Sequence, residues 1–127
     1  MVEKKLFGST IYNNPISVSE EMSTLLKNEL KCDLVICLSH LGYKYDVQKI
    51  SDVILAENSK HTDIIIGGHT HTFFDEPVVV KNRMNRGILV NQVGWAGIRL
   101  GKIDCYFERG NMQKLFTKTN FCEIKKV

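Results

Sequence analysis

The 127-residue chain is 43% hydrophobic and 24% charged, with a formal net charge of +3, which fits about one small globular domain. Its longest apolar runs fall far short of the roughly 20 residues that cross a bilayer as a helix, and the N-terminus MVEKKLFGST has no secretory-signal pattern. The lysines are scattered apart from the terminal EIKKV, so no concentrated basic face points to nucleic acid.

Residues 6–12 form a short β-prone segment ended by Asn13-Asn14-Pro15. Ser17-x-x-Glu20 reads as a capping box opening an amphipathic helix, with Met22, Leu25, Leu26 and Leu30 at helical spacing as core contacts. Residues 33–39 read as a strand, and their near-continuous apolar character predicts burial on both faces, as in a parallel sheet. After the loop HLGYKYD, residues 51–58 read as a second, shorter helix leading into a strand at Ile64. Strand, helix, strand is therefore the organising unit. Residues 77–80, 87–91 and 98–107 follow as strands, separated by the turn-prone KNRMNRG and the glycine-rich VGWAG. The tail from Met112 alternates weakly and adds a hairpin, with ERGNM as its turn. Cys32, Cys37, Cys105 and Cys122 form no CxxC pair; they read as reduced thiols, Cys37 acting as a small hydrophobe inside its strand.

The chemistry lies where apolar runs end. His40 follows LVICLS, and His69 and His71 follow IIIGG. Two glycines directly after a buried strand let the backbone turn tightly and approach a ligand. In parallel α/β units ligands gather outside the carboxyl ends of strands, which is where all three histidines fall. In an extended segment side chains at i and i+2 point to the same side, so His69 and His71 can face one site together. Neutral imidazole is the commonest metal ligand near physiological pH, so His40, His69 and His71 are the candidate metal ligands. His61, in a polar stretch before its strand, has no assigned role.

A hydrolytic centre also needs carboxylates. Asp33 and Asp63 each precede their own strand, and at about 3.3 Å per residue a seven-residue separation from a histidine spans roughly 20 Å. Asp46, Asp75 and Glu76 lie in the histidine-bearing loops, while Asp52 reads equally well as a helix-start residue. The sequence supplies three imidazoles and no obvious bridging carboxylate.

CDLVICLSHLG and TDIIIGGHTHT, with SDVILAEN between them and ILVNQVGWAGIRLGKID after, closely resemble the second half of the calcineurin-like metallophosphoesterase domain, specifically its 5'-nucleotidase branch. The resemblance implies an α/β fold in which this chain is half of a four-layer α/β/β/α sandwich, a mixed sheet with two helices. It implies two divalent metals, zinc, manganese or similar, in the complete domain, with His40 and His69 on the second and His71 facing the first. It also implies that Asn91, Gln92, Gly94 and Trp95 line the substrate channel, although Trp95 reads equally as a cap on the core.

The family's Asp-x-His, Gly-Asp and Gly-Asn-His-Glu motifs occur nowhere in these 127 residues, and the last of them carries the general acid. The expectation is thus a single partial domain over residues 1–127 with no catalytic residue of its own, holding at most one metal weakly and inactive alone. Its substrate in the complete enzyme is a phosphomonoester or nucleotide, and the exposed sheet face of a half-domain leaves three outcomes open: a separately encoded N-terminal half, a homodimer, or local repacking. The resemblance suggests a periplasm or cell-envelope setting. A non-catalytic binding or assembly module of the same descent is the alternative; an amidohydrolase-like barrel, whose paired histidines follow its first strand, fits less well because a ligand histidine here precedes the pair.

Overall fold

The computed structural model describes residues 3–108 and 111–123, the backbone alone at residue 4 and from residue 108 onward. The expected strand over residues 6–12 is not there. Lys4–Phe7 forms one helical turn, α1, held by local contacts in which the Leu6 N–H donates to the Glu3 carbonyl at 2.8 Å and the Thr10 N–H to that of Phe7 at 2.9 Å. β-propensity is realised against a neighbouring strand, and none among the described residues pairs with this segment.

Helix α2, Pro15–Thr24, starts at Asn14 rather than at the expected Ser17 box. The Asn14 side chain accepts the Ile16 N–H at 2.9 Å, and Pro15 occupies the first helical position, where its missing N–H leaves nothing unbonded. Glu20 turns outward instead, accepting the Lys60 backbone N–H at 3.0 Å and facing its Nζ at 3.4 Å. The helix runs on into a π-helical turn, Leu25–Glu29. That wider turn shifts the register of what lies beyond it, whereas Val18, Met22 and Leu26 line one open groove with Ile36 and Leu38. Met22 and Leu30 are exposed and Leu25 and Leu26 only half-buried, a second departure from expectation.

The sheet is mixed, as the fold class anticipated. β1 (Ile36–Leu38) and β2 (Ile64–Ile66) run parallel, Ile36 opposite Ile64 and Leu38 opposite Ile66. α3, Asp52–Asn58, is the crossover between them, with the Ser51 hydroxyl accepting the Ile54 N–H at 3.4 Å. β3 (Val78–Lys81) pairs antiparallel with β4 (Gly87–Asn91), and β4 pairs in parallel with β2, giving the order β1-β2-β4-β3. Leu55 and Ala56 of α3 pack on Ile65, Ile88 and Val90 to make the core, with Cys37 and Val80 against it. β-branched side chains on a sheet under a helix bury well, and this face is closed.

The other face is open in part, with Ile64 and Asn91 buried on it. Ile36, Leu38, Ile66 and Val79 are 46%, 79%, 39% and 62% exposed. The apolar run of β1 is therefore buried on one side only, correcting the two-sided expectation: α3 covers the Cys37 face and leaves the Ile36 and Leu38 face uncovered. β5 (Arg99–Glu108) and β6 (Asn111–Glu123) form a separate antiparallel pair; the ERGNM turn falls partly on residues outside those described. Cys32, Cys37 and Cys105 are free thiols. Burial pushes the Cys37 thiol up, opposed by a hydrogen bond from Ser19. Among the described residues no helix is long and apolar enough to cross a membrane.

Candidate metal centre

All three histidines sit just beyond the carboxyl ends of parallel strands. His40 follows β1, whose last ladder contact is the Ser39 N–H on the Ile66 carbonyl at 2.8 Å. His69 and His71 follow β2 through Gly67 and Gly68, and the Gly67 N–H donates to the Asn91 carbonyl of β4 at 2.8 Å. Close approach is what the glycines permit here. A Cβ at Gly67 would lie 2.0 Å from Asp52 Oδ2, and one at Gly68 3.0 Å from His40 Nδ1.

The segment carrying His69 and His71 is not extended. Both residues are left-handed, with φ of +71° and +54°, so the rule that i and i+2 share a side does not apply. His69 meets His40 instead, ring centroids 5.3 Å apart and planes at 75°. His71 stacks on Trp95, centroids 5.8 Å apart and planes within 14°. All three histidines are exposed.

Two imidazoles sharing one tetrahedral ion with metal–nitrogen bonds of about 2.1 Å have centroids about 5 Å apart. The His40–His69 pair has that spacing, and its donor set suits a borderline ion such as zinc. The described residues contain no cluster of three or more His, Cys, Asp or Glu side chains able to hold a metal. His40 and His69 thus fit as two ligands of an incomplete set.

Of the loop carboxylates, Asp75 is engaged with Arg99 Nη1 at 2.9 Å, while Asp46 and Glu76 are exposed. Asp63, at the opposite strand ends, accepts the Val35 N–H at 2.9 Å and pairs with Lys27 at 2.8 Å and Arg86 at 3.0 Å. It is a clamp on the fold. Asp52 is fully buried. Burial pushes its carboxyl above the usual range, opposed by hydrogen bonds from Ser39 and Gln92 and by the nearby His40.

Asn91 and Gln92 lie inside the protein at 4% and 1% exposure. The Gln92 amide is fully engaged by Asp52, Gly68, Thr70 and Thr72. Gly94, at φ +78°, makes room for Phe73, whose Cζ would stand 2.1 Å from an added Cβ. Trp95 is 56% exposed beside His71. Asp52 as the hub of this network is not visible in the sequence, because its partners Ser39 and Gln92 are 13 and 40 residues away and no local period marks them.

No family model matches the chain. It is 33% identical over 106 residues to the trifunctional nucleotide phosphoesterase protein YfkN of Bacillus subtilis (strain 168), a match covering 83% of this chain and 7% of that protein. It is 32% identical over 119 residues to an apyrase of Tabanus yao, covering 82% of this chain and 20% of the apyrase. The fold superposes on a 5'-nucleotidase precursor from Thermus thermophilus with a TM-score of 0.73 at 25% identity, over 88% of this chain and 23% of that one. The chain belongs to the 5'-nucleotidase-like metallophosphoesterases. It spans less than a quarter of the length of each of these relatives. Within this metallophosphoesterase chain, the strand-end histidines occupy the sheet edge where α/β folds bind ligands.

Proposed function

We propose that this chain contributes the histidine-bearing part of a two-metal site that hydrolyses phosphomonoesters or nucleotides, residues 1–127 forming one portion of the catalytic domain. The single observation that carries the reading is the adjacency of the His40 and His69 rings at the ends of two parallel strands, in a chain whose relatives bear the names nucleotide phosphoesterase, apyrase and 5'-nucleotidase.

The chain's own residues do three things in this scheme. His40 and His69 offer ring nitrogens to one divalent cation, zinc or manganese. His71, two residues beyond His69, has its ring backed by Trp95, and Trp95 presents an exposed aromatic face on which a substrate ring can stack. Gly67 and Gly68 bring the loop close enough for the rings to meet. When bound, a metal pair polarises phosphoryl oxygens and lowers the pKa of water. Neutral imidazoles add no negative charge, so the carboxylates that balance two cations come from residues outside this set. An exported setting, periplasm or cell envelope, belongs to the same proposal.

Calorimetric titration of the purified chain with Zn2+ and with Mn2+ tests it, against a His40→Ala, His69→Ala, His71→Ala variant. The reading expects saturable one-site binding that the variant loses, together with no nucleotidase turnover by the 127 residues alone. Binding that the variant retains, or turnover that survives removal of the histidines, contradicts it. Absence of binding in both proteins favours the non-catalytic module.

A further inference from the structure

Behind the histidines runs one hydrogen-bonded chain that touches a backbone neighbour of each of them. Asp52 Oδ1 accepts the Ser39 hydroxyl at 2.5 Å, and Ser39 precedes His40. Asp52 Oδ2 accepts from Gln92 Nε2 at 3.0 Å. The same nitrogen donates at 2.9 Å to the carbonyl of Gly68, the residue before His69. Gln92 Oε1 accepts the Thr70 hydroxyl at 3.1 Å and the Thr72 N–H at 3.2 Å, and those two threonines flank His71. Thr70 is held from its other side by the Tyr43 N–H at 3.0 Å.

The loop so held is in an unfavourable conformation. His69 and His71 both have positive φ, which a side chain bearing a Cβ resists. Such conformations persist where the surroundings over-determine them, and they cluster at functional sites. Gln92 is the group that over-determines this one: it lies at the end of a core strand, is 1% exposed, and uses its amide donor and acceptor on the loop.

We infer that Gln92 is a positioning residue, with Asp52 as its anchor: it fixes His69 and His71 in left-handed backbone, while Ser39 ties His40 to the same carboxylate, so that the imidazoles are arranged before any metal arrives. This rests on the metal-site reading above. Outer partners that orient metal ligands commonly matter 10–100-fold in metal affinity. The bond from Gln92 to Asp52 joins β4 to α3, so the loop takes its geometry from the core and not from its own sequence.

The test compares Gln92→Met, which keeps the length of the side chain and removes its four contacts, with Ile88→Ala, which weakens the same strand's core packing away from the loop. Two readouts are taken on the full chain. The first is NMR of the metal-free protein, using the backbone shifts and couplings that report positive φ at His69 and His71. The second is calorimetric Zn2+ affinity. Gln92→Met is expected to lose the positive-φ signature at one or both histidines and to bind Zn2+ about 10–100-fold more weakly, while Ile88→Ala retains both properties despite lower stability. Retention of the signature in Gln92→Met, or an equal loss in Ile88→Ala, overturns the inference. If Gln92→Met does not fold, Thr70→Val, which removes one hydroxyl from the chain, carries the same expectation at smaller amplitude and the same refutation. If the wild-type chain binds no Zn2+, the metal-site reading fails, and the NMR comparison on metal-free protein still decides the role of Gln92.

Discussion

Two glycines show how differently the same substitution acts at two points near the site. At Gly67 an added Cβ meets the buried Asp52 carboxylate at 2.0 Å, with Gln92 Nε2 at 2.9 Å, and neither group can yield without breaking its hydrogen bonds. At Gly97 nothing lies within 4 Å, and only φ of +67° opposes a side chain. Gly97→Ala should therefore cost about 1–2 kcal/mol from backbone strain alone. Gly67→Ala should cost about 1–3 kcal/mol of overpacking and also weaken metal binding, because the intruding methyl displaces the carboxylate that anchors the loop. Thermal denaturation and metal titration of the two variants separate these effects; equal Zn2+ affinity in both contradicts the Gly67 argument. The placement of His40 and His69 just past strand ends is legible in the sequence because strand ends are. The direction of His71 is not, since the alternation of side chains presumes extended backbone and positive φ ends it. Gln92 appeared in the sequence as a channel residue; its engagement inside the fold depends on partners 20, 22, 24 and 40 residues away.

Among the elements, the sequence marks the structure where the chain's own chemistry is decisive. α3 begins where Ser51 and Asp52 announce it, and β2 and β4 occupy their short apolar runs. The failures came where context decides. Residues 6–12 have strand composition and no strand beside them among the described residues, and α2 starts at Asn14-Pro15 over a plausible capping box. That assignment is testable. Asn14→Ala should lower stability by about 1 kcal/mol through loss of the cap, whereas Ser17→Ala, inside the first turn, should change it by less than half as much; urea denaturation of both variants checks the order. Ile65→Ala removes a fully buried side chain between Leu55 and Val90 and should cost about 2–5 kcal/mol.

For the whole molecule, the four-stranded sheet is covered by α3 on one face, while on the other Ile64 and Asn91 are buried and Ile36, Leu38, Ile66 and Val79 are exposed. Leu38, Ile66 and Asn91 stand in register across β1, β2 and β4. Leu38 and Ile66 are exposed. Asn91 Oδ1 is buried without a hydrogen-bond partner among the described residues, a deficit of about 1–3 kcal/mol that a covering layer with a donor relieves. Contiguous apolar surface of this kind drives association, so the isolated chain should self-associate with rising concentration, and Leu38→Thr with Val79→Thr should reduce it. Sedimentation velocity of the two proteins is the check, and a wild-type monomer at all concentrations contradicts the expectation. Stacked sheets pack through apolar faces of this kind.

The proposed role of His40 and His69 is to hold one divalent ion together at the strand ends. X-ray absorption of the Zn2+-loaded chain, beside a His40→Ala, His69→Ala variant, tests it most directly. The expected result is a first shell of nitrogen and oxygen at about 2.0–2.1 Å with outer-shell scattering from two imidazole rings, the latter lost in the variant. Sulfur at about 2.3 Å, or an imidazole pattern unchanged in the variant, would place the metal elsewhere and contradict it.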